Sequence, residues 1–324
     1  MLRGIPNRLS DLASNLSITH ALAGVPTGPR SQVYIVDPVL GSDTSSGLDL
    51  VAPLKTISAA LGKCVTNQND VVLVVGGPTA NLQTATLAWN KSYTHLVGMS
   101  APLPGVGQRT RITVGAAADA TSVVTFSGDG CVVKNIQLFN GSDADAIAAA
   151  GVVSGNRCYF ENVFFAGMGH ATPAAKATGY SLGLSGAENT FVRCSIGLGT
   201  IDRGAGANTE LLMSGQCNRN KFIGCEFLSW SNTAAKALVR LDATAVPYEV
   251  QFEDCLFHNF KSNNGATGTA LNHAIEDAAT PYHAVILRGN CQLIGCAAWA
   301  DPVTYVLGCG PLPHANQGIS IVGA

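Results

Sequence analysis

One pattern constrains this chain more than any other: six segments recur at an interval near 30 residues. They read CVVKNIQLF (131–139), CYFENVFFAG (158–167), NTFVRCSIGLG (189–199), NKFIGCEFLSW (220–230), VQFEDCLFHNF (250–260) and CQLIGCAAWAD (291–301). Aligned on Asn135, Asn162, Cys194, Cys225, Cys255 and Cys296, they are spaced by 27, 32, 31, 30 and 41 residues. Three positions before that anchor stand Val132, Tyr159, Phe191, Phe222, Phe252 and Leu293, all apolar or aromatic. Two positions after it stand Gln137, Phe164, Ile196, Phe227, Phe257 and Ala298. Each segment therefore reads as a short strand, a bend and a second short strand, with an apolar side chain turned inward from each. One such unit cannot bury its own apolar face, so the units must stack. Strand-length apolar runs separated by Gly/Asn/Ser-rich spacers predict a parallel β-solenoid. The spacers carry no sustained i, i+3, i+4, i+7 stripe, which argues against helical repeats.

The anchor accepts Asn or Cys, so it is expected to form an internal structural ladder. Asn hydrogen-bonds along such a stack, and Cys fills a similar volume as a small hydrophobe with a weak donor. The cysteines at these positions are thus expected to be reduced and buried. Upstream, DVVLVVGG (70–77), THLVG (94–98), RITVG (111–115) and SVVTF (122–126) each supply one further β-rich rung. The total is about 9–10 coils, a rod on the order of 45 Å tall at one inter-strand spacing per coil.

Composition narrows the function. Of 324 residues 47% are hydrophobic and only 12% charged, with 19 Lys+Arg against 21 Asp+Glu. A net charge of −2 argues against a general nucleic-acid binder, which needs clustered cations. No apolar run reaches the roughly 18–20 residues of a membrane span. Residues 1–31 carry Arg3 and Arg8, but Pro6, Asn7, Asp11 and Asn15 interrupt any signal-peptide core. None of the ten cysteines forms a C-x-x-C pair of the kind that binds zinc.

Residues 34–61 read YIVDPVLGSDTSSGLDLVAPLKTISAAL. A strand, a G-S-D-x-x-x-G loop (Gly41, Ser42, Asp43, Gly47), then Pro53, Lys55, Thr56 and Ile57 opening a short helix, resemble the opening of right-handed parallel β-helix proteins of the pectin-lyase-like class. That resemblance implies an all-β, single-stranded, right-handed parallel β-helix with an N-terminal capping helix. The helix covers an end that would otherwise expose unpaired backbone. Asp37, Asp43 and Asp49 read as turn residues. The expected division is an arm over 1–32, a cap over 33–66 and the β-helix body over 67–324. A short G-I-P-x-x-L-S-D-L arm (4–12) and a Gly/Pro joint ahead of this opening are similar to capsid-associated or decoration proteins of tailed bacteriophages.

That second resemblance implies a non-enzymatic virion structural protein, a decoration, cement or head-associated protein, located in the particle. Its partner would be the major capsid protein or another virion protein, and a homotrimer is the expected assembly. The arm carries Ile5, Leu9, Leu12, Leu16, Ile18 and Leu22 among few charges, and these are the expected partner-docking residues. Folding back along its own rod is the arm's alternative fate. The alternative function is a tailspike-like protein that binds or depolymerises polysaccharide, with carbohydrate on the exposed β-helix face.

Depolymerisation needs acid and base carboxylates facing one another. The chain has no D-D pair and no G-H-G, and no P-loop, G-x-S-x-G or H-E-x-x-H. Glu161, Glu226, Glu253 and Asp254 lie near successive anchors but not in one register, and read as solvated outward faces. Trp230 and Trp299 follow their anchors and read as packing under loops. His258 and His283 have no adjacent nucleophile. Asp202-Arg203 in a Gly-rich loop reads as an exposed pair. No catalytic, cofactor-binding or metal-ligating residue is assigned.

Overall fold

A computed structural model describes residues 21–100, 110–143, 147–204, 208–231, 233–260, 270–278, 283–302 and 304–308. Ile5, Leu9, Leu12, Leu16, Ile18 and Cys309 lie outside them. The chain winds as a parallel β-helix. Every strand pairing is parallel, and each strand lies on the one a coil earlier.

Three faces repeat. Strands of the first sheet run from Val33–Val36 through Asp70–Val75, Thr94–Met99 and Val132–Asn140 to Tyr305–Gly308. A bend leads into the second sheet, which includes Ser195–Gly197, Glu226–Ser229 and Leu256–Asn259. The third sheet runs from Leu87–Trp89 to Cys296–Ala300. The first sheet has ten strands in its ladder among the described residues, hence ten turns of the coil, the last incomplete.

The interior is a set of side-chain columns. Phe160, Phe191, Phe222 and Phe252 stack face to face, with centroids 4.7, 4.7 and 5.0 Å apart. Phe227 and Phe257 continue this across the bend at 4.8 Å, and Trp299 meets Phe257 edge-on at 5.5 Å. All of these are buried. Each such pair contributes about 0.5–1.5 kcal/mol beyond its buried area. The helix Ile57–Lys63 closes the first end as expected. Thr56 Oγ1 accepts the Ala59 N–H at 3.1 Å, and Ile57, Ala60 and Leu61 are buried. At its other end Lys91 Nζ donates to the carbonyls of Leu61, Gly62 and Cys64 at 2.7, 3.0 and 2.6 Å. Asp37, Asp43 and Asp49 each accept backbone N–H groups of the cap loop.

The register corrects the expected ladder. Phe191 pairs with Phe160, not with Tyr159, and Phe160 pairs with Val133. Val132 and Tyr159 instead face outward, with the outer cluster of the first sheet. Asn135 and Asn162 therefore align with Arg193, Gly224, Asp254 and Gly289. All six have positive φ, between 50° and 62°, and make the bend from first to second sheet. Asn is the ordinary side chain that tolerates this conformation best. Asn162 Nδ2 donates to Asn135 Oδ1 at 3.1 Å.

Cys194, Cys225 and Cys255 sit one residue further on, pointing inward in a column with Ile136 and Val163. Their thiols donate to the carbonyls of Phe160, Phe191 and Phe222, at 3.5, 3.4 and 3.3 Å. The next member is Cys291, whose thiol donates to Phe252 O at 3.4 Å. Cys296 is not in this column at all. It lies in the third sheet opposite Leu271. A one-residue slip exchanges the inward and outward faces of a strand, and that slip separates the two asparagines from the three cysteines.

An Asn/Cys column does exist elsewhere, at the entry to the first sheet. Cys131, Cys158, Asn189 and Asn220 stack there, all buried. Asn189 Oδ1 accepts the Cys158 N–H, and Asn220 Oδ1 the Asn189 N–H, both at 2.8 Å. All nine described cysteines are free, and all but Cys296 are buried.

Candidate functional site

In a β-helix the outer faces of the sheets are where a partner can be met. On the first sheet, the first four coils are already covered by the chain itself. Ala21, Leu22 and Val25 pack on Val71, Leu73, Val97 and Val132. Lys134 Nζ donates to Ala23 O at 2.8 Å, Ser31 Oγ to Gln68 O at 2.8 Å, and Gln32 N–H to Asp70 Oδ1 at 2.7 Å. The arm thus joins the rod by residue 21, well before the expected boundary at 32. Leu22, expected to dock on a partner, is half-buried against its own sheet. The cause is the aliphatic outer face those coils present.

His95 lies beneath this segment. Its Nδ1 accepts the Val132 N–H at 3.1 Å and its Nε2 faces Asn69 Oδ1 at 3.2 Å. Burial pulls its pKa down to about 4, against the opposing pull of the Asp70 carboxylate. Beyond the covered coils two surface carboxylates, Glu161 and Glu188, are each bridged by two cations. Glu161 is bridged by Lys134 at 3.0 Å and Arg193 at 2.5 Å. Burial alone would raise this carboxyl, but the two cations outweigh it and hold it below the usual range. Glu188 is bridged by Arg157 and Arg219, both at 2.5 Å, and their hydrogen bonds hold it low as well. Glu253 lies three coils from Glu161 along the same column, so these two carboxylates do not face one another across a single bond.

The least expected chemistry lies under the loops outside the third sheet. Arg203 is completely buried, not exposed. Its Nε and Nη2 donate to the two Glu210 oxygens at 3.0 and 3.1 Å, and its Nη1 to Met168 O at 2.9 Å. Lys236 Nζ reaches Glu210 Oε1 at 3.1 Å and Asn208 Oδ1 at 2.7 Å. Ser181 Oγ donates to Glu210 Oε2 at 2.6 Å. Burial would raise the Glu210 carboxyl, but Arg203, Lys236 and Ser181 together hold it low. The Lys236 ammonium is pulled down, chiefly by burial, to about 8. The cluster ties three loops to two neighbouring strands of the third sheet, Tyr180–Leu184 and Thr209–Met213.

A carboxylate-oriented imidazole sits near the far end. His283 Nδ1 is 2.9 Å from Asp277 Oδ2, and Asp301 Oδ2 accepts the Asp277 N–H at 3.0 Å. Among the described residues no serine, threonine or cysteine hydrogen-bonds this imidazole. No three His, Cys, Asp or Glu side chains among them are placed to hold a metal ion. Nor does any described helix have the length and apolarity to cross a membrane. Trp299 packs in the core and Trp89 is wholly buried, so neither offers a ring for sugar stacking.

No protein-family model matches the chain, and no curated protein is similar to it. Solved structures are. The pectin methylesterase from Aspergillus niger superposes with a TM-score of 0.56 at 16% identity, covering 88% of this chain and 85% of that one. Pectate lyase Pel9A gives 0.55 at 14% identity, covering 89% and 76%. ORF18 of Geobacillus virus E2 gives 0.52 at 14% identity, covering 95% of this chain and 65% of that one. At these identities the likeness is one of fold: a parallel β-helix shared with polysaccharide-acting enzymes and with a phage protein.

Proposed function

We propose that the chain is a non-enzymatic structural protein of a tailed-phage particle, a head-associated or decoration protein that docks through its N-terminal arm. The observation that carries this is the seating of residues 21–32. They occupy the outer face of the first sheet and lead straight into a segment with six aliphatic residues and few charges. The first four coils therefore present no open cleft on this face, and the chain ahead of residue 21 is left as the attachment segment. The charge pairs of Glu161, Glu188 and Glu210 support the non-enzymatic part, because each carboxylate is saturated by cations. The phage protein of the same fold supports the setting.

Quantitative mass spectrometry of purified particles is the test. Many copies in a fixed ratio to the major shell protein are expected. A handful of copies per particle would favour the tailspike reading. Release of reducing ends or unsaturated sugars from a host polysaccharide would overturn the non-enzymatic one.

A further inference from the structure

Four large aliphatic side chains stand exposed on the loop that closes the first end of the rod. Val39, Leu40, Leu48 and Val51 are 60, 80, 53 and 88% exposed. The other exposed large hydrophobics among the described residues are dispersed over the rest of the rod, from Val65 to Leu307. The loop is firmly built. Ser42 N–H donates to Pro53 O at 3.0 Å and Gly47 N–H to Ala52 O at 3.1 Å, which ties its two halves side by side. Asp43 Oδ1 accepts the N–H groups of Lys55 and Thr56 at 2.9 and 2.8 Å. A Cβ at Gly41 would stand 2.1 Å from Leu54 O, so the turn is pressed against the rod. Apolar side chains held out on a pre-organised loop are a docking surface.

Charge identifies what fits there. Residues 37–51 carry Asp37, Asp43 and Asp49 and no Lys or Arg. Residues 1–20 carry Leu2, Ile5, Leu9, Leu12, Leu16 and Ile18, with Arg3 and Arg8 against Asp11 alone. Apolar surface thus meets apolar surface, and a cationic segment an anionic one. The course of the chain indicates whose arm it is. Followed backwards from residue 33, the chain passes Asp70 at Gln32 and Gln68 at Ser31, and reaches Lys134 at Ala23. Lys134 lies three first-sheet strands beyond Val33–Val36. The chain is therefore heading away from its own cap loop when it reaches residue 21.

We propose that the cap loop, residues 37–51, is the seat for residues 1–20 of a second copy of this chain. Such an arm-to-cap contact joins two different surfaces, so it propagates until it closes into a ring. A trimer is the smallest ring in which every arm and every cap is used without mutual exchange. The inference rests on the arm being a docking segment, takes a sister copy instead of the shell protein as what residues 1–20 dock to, and does not rest on the virion assignment.

The test is the solution mass of the full-length chain, by light scattering after size exclusion, with two full-length double variants. Leu9→Asp/Leu12→Asp spoils the arm and Leu40→Asp/Val51→Asp spoils the cap. Wild type is expected as a closed oligomer and each variant as a folded monomer. Mixing the two variants should give a one-to-one dimer, because one supplies an intact cap and the other an intact arm. Leu82→Asp, at an exposed leucine elsewhere, should leave the oligomer unchanged. A monomeric wild type would overturn the inference, as would an oligomer that survives the cap variant, or variants that do not complement. If the aspartates prevent folding, Leu40→Ser/Val51→Ser is read in the same way. A monomer in solution that still populates particles at full stoichiometry would overturn this contact while leaving the virion reading intact.

Discussion

Lys236 Nζ stands 3.1 Å from Glu210 Oε1, and neither side chain has any exposed surface. Arg203 shares the same carboxylate. The three groups leave one surplus positive charge where water does not reach, and the lysine is the group that yields, its pKa falling to about 8. Between about 8 and the ordinary value near 10.5, the unfolded chain binds this proton and the folded chain does not. Raising the pH across that window therefore stabilises the fold at this site.

The thiols act in the opposite sense. Burial pushes Cys64 up to about 12 and Cys217 up to about 11. Above about 9 the unfolded chain loses thiol protons that the fold retains, so these sites lose stability as pH rises. Comparing wild type with Lys236→Met cancels the thiols, which both proteins share. Urea titrations at pH 7 and pH 10 should show the variant gaining most over wild type at pH 7 and the gap closing by pH 10. A gap independent of pH would mean that Lys236 does not titrate in this window.

Removing the carboxylate is the harsher change. Glu210→Ala leaves Arg203 and Lys236 buried side by side without a counter-ion. Breaking a buried pair in this way costs about 3–5 kcal/mol, so the variant should unfold at much lower urea than Lys236→Met. Equal midpoints for the two would show that the cluster relaxes into solvent and is not a lock.

His95 sets the acid limit. Its folded pKa of about 4 lies below its ordinary value near 6.5. The unfolded chain then takes up a proton that the fold refuses. The stability is whole above about 6.5 and is lost as pH falls toward 4. Protonation also turns Nδ1 into a donor facing the Val132 N–H. Thermal midpoints should fall between pH 6.5 and 5, before most carboxylates titrate, and His95→Gln should flatten that slope. A variant as acid-sensitive as wild type in this interval would count against His95.

The period, the parallel pairing, the cap and its turn aspartates were all legible in the sequence, because each rests on a local pattern. The register of the early coils was not. Val132–Val133 and Tyr159–Phe160 are apolar at both alternate positions, because residues 21–25 cover the outer face as well. A strand buried on both faces loses the alternation that fixes its register. Cys291 escaped for a different reason. The last bend holds an extra residue, Asn290, between Gly289 and the cysteine, so a fixed spacing lands on Cys296. The buried cluster has no sequence signature, since Arg203, Glu210 and Lys236 meet only when separate loops fold over one strand.

The two columns can be told apart by one pair of substitutions. Cys158 belongs with Asn189 and Asn220, whose Nδ2 groups donate to Gly155 O and Gly186 O at 3.1 and 3.0 Å. The Cys158 thiol already donates to the equivalent carbonyl, Gly128 O, at 3.3 Å. An asparagine there finds that acceptor, and its oxygen faces the Cys131 N–H just as Asn189 Oδ1 faces that of Cys158. Cys158→Asn should therefore change stability by less than about 1 kcal/mol. Cys194 belongs instead with Ile136 and Val163, in an apolar column where the thiol reaches two acceptors, the carbonyls of Phe160 and Val192 at 3.5 Å, and no donor. Cys194→Asn buries an amide that cannot be satisfied there and should cost about 1–3 kcal/mol. Cys194→Val copies the coil below and should cost less than about 1.5 kcal/mol. Urea midpoints for the three variants decide it. Should Cys194→Asn prove as stable as Cys158→Asn, the separation of the columns by one residue is wrong.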